Sequence, residues 1–193
     1  MERIERIHAL HRILSAARYP VTVQRLQDEL ECSRATAYRH FPDVNALIVE
    51  ASLDLDTPQP EQLFLDGPPE DPVARMERVD SALEAMIRDN EVALRLMMKH
   101  ALDRSVRRTD DSTIPMRQNR RTPLIEAALE PARRQFRPVA LKTLTRALAM
   151  VVGTESMLAL KDVLQLDDTE ARRVRRWAIR ALVDAARKPA TAT

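Results

Sequence analysis

Between Ser33 and His40 the chain sets Ser33, Arg34, Thr36, Tyr38, Arg39 and His40 close together, with no acid among them. These side chains suit recognition of a polyanion better than catalysis. A guanidinium can fork onto the O6 and N7 acceptors of guanine in the major groove, which fits Arg34. The hydroxyls of Ser33 and Thr36 can bond a phosphate or a base edge, and Arg39 can serve either backbone or base. Without the surrounding pattern, a solvated basic helix face would be the better reading. No spacing of serines, histidines and carboxylates implies a nucleophile with its base. Glycine-rich nucleotide loops and His-Glu-x-x-His metal motifs are missing from the sequence. No catalytic residue, metal ligand or cofactor is therefore assigned, and the chain is not read as an enzyme. An enzyme whose groups converge from distant positions, or a helical scaffold that binds no DNA, is the alternative class.

A short polar helix over Ser33–Phe41, capped by Ser33 and stopped before Pro42, cannot be stable alone. It needs the apolar pattern upstream. Val23, Leu26 and Leu30 define a second helix, joined to it by the brief break Glu31-Cys32. Ile4, Ile7, Leu10 or His11, and Leu14 give a first helix over Glu2–Ala17, ended by Tyr19-Pro20. Thr22 can cap the second helix. The pair forms a helix-turn-helix whose second helix would lie in the major groove. Asp43 caps a further helix carrying Ala46, Leu47 and Leu53. That helix stands where a winged-helix regulator needs a β-hairpin, so the wing is rejected.

Ser33-Arg34-Ala35-Thr36, then Tyr38-Arg39-His40-Phe41-Pro42-Asp43 and Ala46-Leu47, closely resemble the tetracycline-repressor family of bacterial transcription regulators. The resemblance is sharp from about Val21 to Glu50. It implies an all-α protein with an N-terminal helix-turn-helix domain and a C-terminal helical ligand-binding and dimerisation domain. Its partners would be a double-stranded DNA operator, a small-molecule effector and a second copy of the chain, with repression as the commoner mode. By the same resemblance Tyr38 and His40 hold phosphates, while Phe41 is core. The expected DNA-contacting set is Thr22, Ser33, Arg34, Thr36, Tyr38, Arg39 and His40. Four positions depart from the family pattern: Gln27 replaces alanine, Glu31 a turn glycine, Cys32 a small β-branched residue, and Val44 a phosphate-binding lysine. A left-handed Glu31 would cost about 1–2 kcal/mol.

The wider composition agrees with an all-helical chain. Of 193 residues only Gly67 and Gly153 are glycine, and Cys32 is the single cysteine, which excludes an internal disulfide framework. The start of the chain lacks the apolar core of a signal peptide, and no stretch is long and apolar enough to span a membrane. A cytoplasmic location is expected. The net charge is only +2, and residues 1–50 hold seven arginines against seven acids. Non-specific phosphate attraction by that segment should be modest.

Downstream, prolines 58, 60, 68, 69 and 72 mark residues 57–72 as a connector between a domain over 1–56 and another over 73–188, with 189–193 as a tail. Val73–Asn90 is expected as an amphipathic helix through Met76, Val79, Leu83, Met86 and Ile87. Glu91–Arg107 is apolar nearly all round, which predicts a centrally buried helix. Its Met97, Met98 and His100 are the candidate effector-binding residues, because methionines suit a deformable pocket. A filled core without a pocket is the competing reading. Thr109–Thr122 is expected as a loop, and Leu124–Phe136 as a helix kinked or divided at Pro131. Pro138 opens a long helix to about Leu164, with Gly153 in its middle. Asp167 or Asp168 caps a last helix through Arg187 whose narrow apolar face is Ala171, Val174, Ala178, Ala181 or Leu182, and Ala185. These last two helices would pair with their symmetry mates, and Leu144, Leu148, Val151, Gly153, Val174 and Ala178 are the expected dimerisation residues. An ordinary pair of helices within one chain is the alternative.

Overall fold

The computed structural model describes residues 56–65, 70–106, 117 and 119–188. They form α1 (Pro60–Leu63), α2 (Pro72–Asp89), α3 (Glu91–Val106), α4 (Arg121–Leu129), a 3-10 segment (Glu130–Gln135), α5 (Pro138–Val151), α6 (Thr154–Met157), a π segment (Leu158–Val163) and α7 (Asp168–Ala186). No β-strand occurs among the described residues; one antiparallel bridge joins Phe136 and Arg187. The chain divides into two compact units. One holds Met1–Asp56 with Asn90–Gln118, the other Thr57–Asp89 with Asn119–Thr193.

In the second unit α2 packs on α4 and α7, and α5 packs on the same two, so the four helices close a ring. Each start is written locally. At α2, Asp71 Oδ2 accepts from Ala74 N at 3.1 Å and Pro72 takes the first helical position, where its missing N–H costs nothing. At α7, Asp167 Oδ1 accepts from Thr169 N at 2.8 Å and Glu170 N at 2.9 Å. Inside the ring, Met76, Val79 and Leu83 of α2 meet Leu124, Ile125 and Leu129 of α4, Leu144 and Leu148 of α5, and Ile179 and Val183 of α7. The bridge Phe136–Arg187 and the bond from Lys188 N to Gln135 O bring the start of α5 to the end of α7, so these two run antiparallel.

Pro131 divides the fourth helix as its chemistry requires. It has no N–H for the carbonyl of Ala127, so α4 stops at Leu129 and continues as a 3-10 segment. The carbonyls left open are taken by Arg75. Its Nε donates to Ala128 O at 2.8 Å and its Nη2 to Ala127 O at 2.9 Å, with the guanidinium 3.9 Å from the Phe64 ring centre. A cation at a helix C-terminus also opposes the macrodipole. Burial holds the Arg75 pKa below its ordinary value, and nearby Arg78 adds to this. Through Leu63 and Phe64 the expected connector packs on this core.

Three expectations need correction. The long helix to about Leu164 breaks after Val151, because Val152 is extended and Gly153 adopts φ +112°. Gly153 is thus a break rather than a mid-helix residue. Glu91–Arg107, realised as α3, is not centrally buried: Leu94 and Met97 are buried, but Val92 is 74% and Val106 81% exposed. It groups with Met1–Asp56, whereas α2 and α4 belong to the other unit. The expected loop over Thr109–Thr122 falls mostly outside the described residues, and its last two residues, Arg121 and Thr122, already belong to α4.

Candidate nucleic-acid interface and the charged helix faces

All seven expected DNA contacts, Thr22, Ser33, Arg34, Thr36, Tyr38, Arg39 and His40, lie outside the described residues. Of the effector candidates, Met97 is buried, and Met98 and His100 are half-buried on α3. Met97 and His100, three positions apart, share a face, while Met98 points about 100° away. On the same helix, Arg95 Nε and Nη2 both lie 2.9 Å from Glu91 Oε1, one turn back.

The charged groups of the second unit are arranged as a ladder that the sequence pattern did not reveal. Asp71 just before α2, with Glu77, Asp80 and Glu84 on it, faces in antiparallel order Arg187 just after α7 and Arg180, Arg175 and Arg172 on that helix. The centre is buried, with side-chain exposures of 10% for Arg175 and 5% for Asp80. Arg175 Nε donates to Asp80 Oδ1 at 2.8 Å and Oδ2 at 3.2 Å. Its Nη2 sits 2.9 Å from Glu84 Oε1, a charge contact without hydrogen-bond alignment. Arg172 Nε donates to Glu84 Oε2 at 3.0 Å.

These environments push the two carboxyls in opposite directions. Burial raises the Asp80 pKa, and Arg175 only partly offsets it. Burial also pushes Glu84 up, but the bond from Arg172, the close Arg175 guanidinium and the charges of both prevail and hold it below its ordinary value. Arg172 is raised in turn, chiefly by its bond to Glu84.

A second clamp fixes the break after α5. Arg121 Nη1 donates to Val152 O at 3.1 Å and to Glu155 Oε2 at 2.6 Å, and Nη2 donates to Glu155 Oε1 at 3.0 Å. A Cβ on Gly153 would meet Arg121 Nη1 at 2.7 Å.

The expected dimerisation residues separate into two groups. Leu144 and Leu148 are buried in the core of one chain, Val151 packs against that core, and Gly153 belongs to the break. Leu144 and Leu148 thus face the core of their own chain, whereas Val151 and Gly153 are half-buried. On α7 the buried stripe is Ala171, Arg175, Ile179 and Val183. It leaves Val174, Ala181 and Ala185 exposed and Ala178 half-buried, beside Trp177 at 72% exposure. The buried stripe escaped notice because an arginine interrupts its i, i+4 spacing. Val139 and Met150 on α5 are exposed as well.

Among the described residues no helix is long and apolar enough to cross a membrane. No curated protein and no solved structure matches the chain. Residues 6–52 match the family model of the helix-turn-helix (HTH) domain, a span that contains all seven expected DNA contacts, and this indicates a helix-turn-helix DNA-binding regulator.

Proposed function

We propose that the chain is a sequence-specific transcriptional repressor of the tetracycline-repressor kind, a cytoplasmic homodimer released from its operator by a small molecule. The observation that carries this reading is the helix-turn-helix match over residues 6–52, which falls on the Ser33–Leu47 motif. Support for self-association comes from the exposed apolar residues of two antiparallel helices, Val139 and Met150 on α5 with Val174, Ala181 and Ala185 on α7. Two paired recognition helices read half-sites about 34–36 Å apart. Met97, Met98 and His100 are the proposed effector contacts. They lie on α3, in the same compact unit as the helix-turn-helix segment.

Selection of genomic fragments bound by the purified chain tests the reading. Enrichment of an inverted repeat is expected. Arg34→Ala should lower the preference for that repeat over scrambled duplex by about 1–3 kcal/mol, whereas Tyr38→Phe or His40→Ala weakens binding to both. A selection that enriches no sequence refutes the proposal.

A further inference from the structure

We propose that α7 carries a second, sequence-independent contact for double-stranded DNA, made by Arg173, Arg176 and Arg180 beside Trp177. The inference extends the DNA-binding reading and concerns a surface outside the helix-turn-helix segment. It starts from where the charge lies. Residues 1–50 are formally neutral, and residues 57–89 hold three basic residues against eight acids. Residues 119–193 hold fifteen against eight. Attraction for a phosphate backbone scales with the phosphates that Lys and Arg neutralise, so the helix-turn-helix segment is poorly supplied with it and the C-terminal stretch is not.

Between Ala171 and Val183 every charged residue is an arginine: Arg172, Arg173, Arg175, Arg176 and Arg180. Two of them turn inward, Arg175 to Asp80 and Arg172 to Glu84. The other three are exposed, Arg180 at the loose end of the ladder. Arg173 and Arg176 are exposed and have no hydrogen-bond or ion-pair partner among the described residues. Arg180 is 69% exposed and only 3.8 Å from Glu77, too loosely held to be spent inside the fold. Glu170 flanks one end of the strip. At the other end Asp184 is occupied by Arg187 Nη1 at 2.8 Å.

Positions 173, 176 and 180 lie on one face and span about 10 Å of helix. A duplex offers one negative charge per about 1.7 Å of axis, dense enough to engage all three guanidiniums at once. Exposed Trp177 stands between them and adds an indole that can lie against sugar and base edges. The strip points about 140° around the helix from Val174, Ala178, Ala181 and Ala185. Self-association through those residues and DNA contact through the arginines therefore use different flanks of α7.

The test uses the full chain and a random-sequence duplex of about 30 base pairs, followed by fluorescence anisotropy from about 50 to 200 mM NaCl, the range over which the counterion term is large. Arg173→Gln/Arg176→Gln/Arg180→Gln should reduce the slope of log affinity against log salt by about 2.7, the value for three lost phosphate contacts. Binding to a selected inverted repeat should persist, which shows that the variant is folded. The charge-matched control Arg133→Gln/Arg134→Gln/Arg137→Gln should leave the slope near that of the wild type. An unchanged slope in the α7 variant, or an equal fall in the control, overturns the second contact. So does an unmoved DNA slope together with lost binding to poly-glutamate, which would give the strip to an acidic polypeptide. A wild-type chain that binds neither random nor selected duplex would instead overturn the DNA-binding reading itself.

Discussion

Replacing Arg175 by methionine should destabilise the second unit by about 3–5 kcal/mol, the range for breaking a buried ion pair from one side. The structure places the change within that range. Asp80, with its side chain 5% exposed, loses the Nε donor at 2.8 Å and keeps no other bonded cation among the described residues, only the charge of Arg176 at longer range, whereas Glu84 keeps Arg172 at 3.0 Å. Methionine fills much of the arginine's volume, so the penalty is mostly one stranded carboxylate rather than a cavity. Replacing both partners, as Asp80→Leu/Arg175→Met, should recover most of the loss, because an apolar pair needs no desolvated charge.

The pH dependence has a definite sign. The Asp80 pKa is raised in the fold, so its ionisation opposes folding: its contribution is most favourable below the unfolded carboxyl pKa and is lost as pH rises through the folded one. Without Arg175 that pKa rises further, and the deficit of the single variant should shrink as pH falls from about 7 toward the carboxyl range. Glu84 works the other way. Its pKa is lowered, so its stabilisation is present above the unfolded carboxyl pKa and fades as pH falls through the folded one. Urea denaturation of the wild type, the single variant and the double variant at two pH values measures all of this. A single variant within about 1 kcal/mol of wild type, well under the expected range, or a double variant no better than the single, would refute the reasoning.

Three other outcomes are expected. Gly153→Ala forces a side chain to φ +112° and sets its Cβ at 2.7 Å from Arg121 Nη1; thermal melting should show a loss of about 1–3 kcal/mol, and an unchanged melt would mean that the break is not fixed by Arg121. Arg75→Met strips the donors from the Ala127 and Ala128 carbonyls and should cost about 2–4 kcal/mol. Adding Pro131→Ala restores an N–H for Ala127 and should recover part of that loss; no recovery would sink the capping account. Met150→Glu with Val174→Glu should weaken self-association at least about tenfold, or ~1.4 kcal/mol, in sedimentation equilibrium, and a wild-type chain monomeric at micromolar concentration would end the homodimer proposal.

The sequence was most legible where structure is set locally. Met76, Val79, Leu83, Met86 and Ile87 mark a helix over Val73–Asn90, within a residue at each end of the observed Pro72–Asp89. Asp167 does cap the last helix, and Pro131 does divide the fourth. At the candidate site the cap, polar run and stop over Ser33–Pro42 are local features too; they lie outside the described residues, within the span of the helix-turn-helix match. What escaped depends on distant partners. Arg175 sits in an apolar stripe only because Asp80, 95 positions away, supplies its countercharge. The conformation of Gly153 is held by Arg121, which periodicity cannot see. Leu144 and Leu148 lie on a leucine seam as expected, but periodicity does not say whether a seam closes on its own chain or on a copy.

The division of the chain constrains how any effector signal reaches DNA. The backbone passes between the two units near Asp56, Asp89 and Gln118, so α3 is inserted between α2 and α4 yet belongs with the helix-turn-helix segment. A ligand held by Met97, Met98 and His100 would therefore act within the DNA-binding unit itself. The ladder that fixes α2 to α7 lies in the other unit, and a single residue, Asn90, separates the end of α2 from the start of α3. Binding shifts the balance only by the ligand's preference for one conformation, and moving a population from 1:99 to 99:1 takes about 5.5 kcal/mol. That exceeds what breaking the Asp80–Arg175 pair costs by the same order-of-magnitude scale. On the proposed effector reading, a molecule held by Met97, Met98 and His100 would have to supply that preference through α3, while the α2–α7 ladder belongs to the other unit.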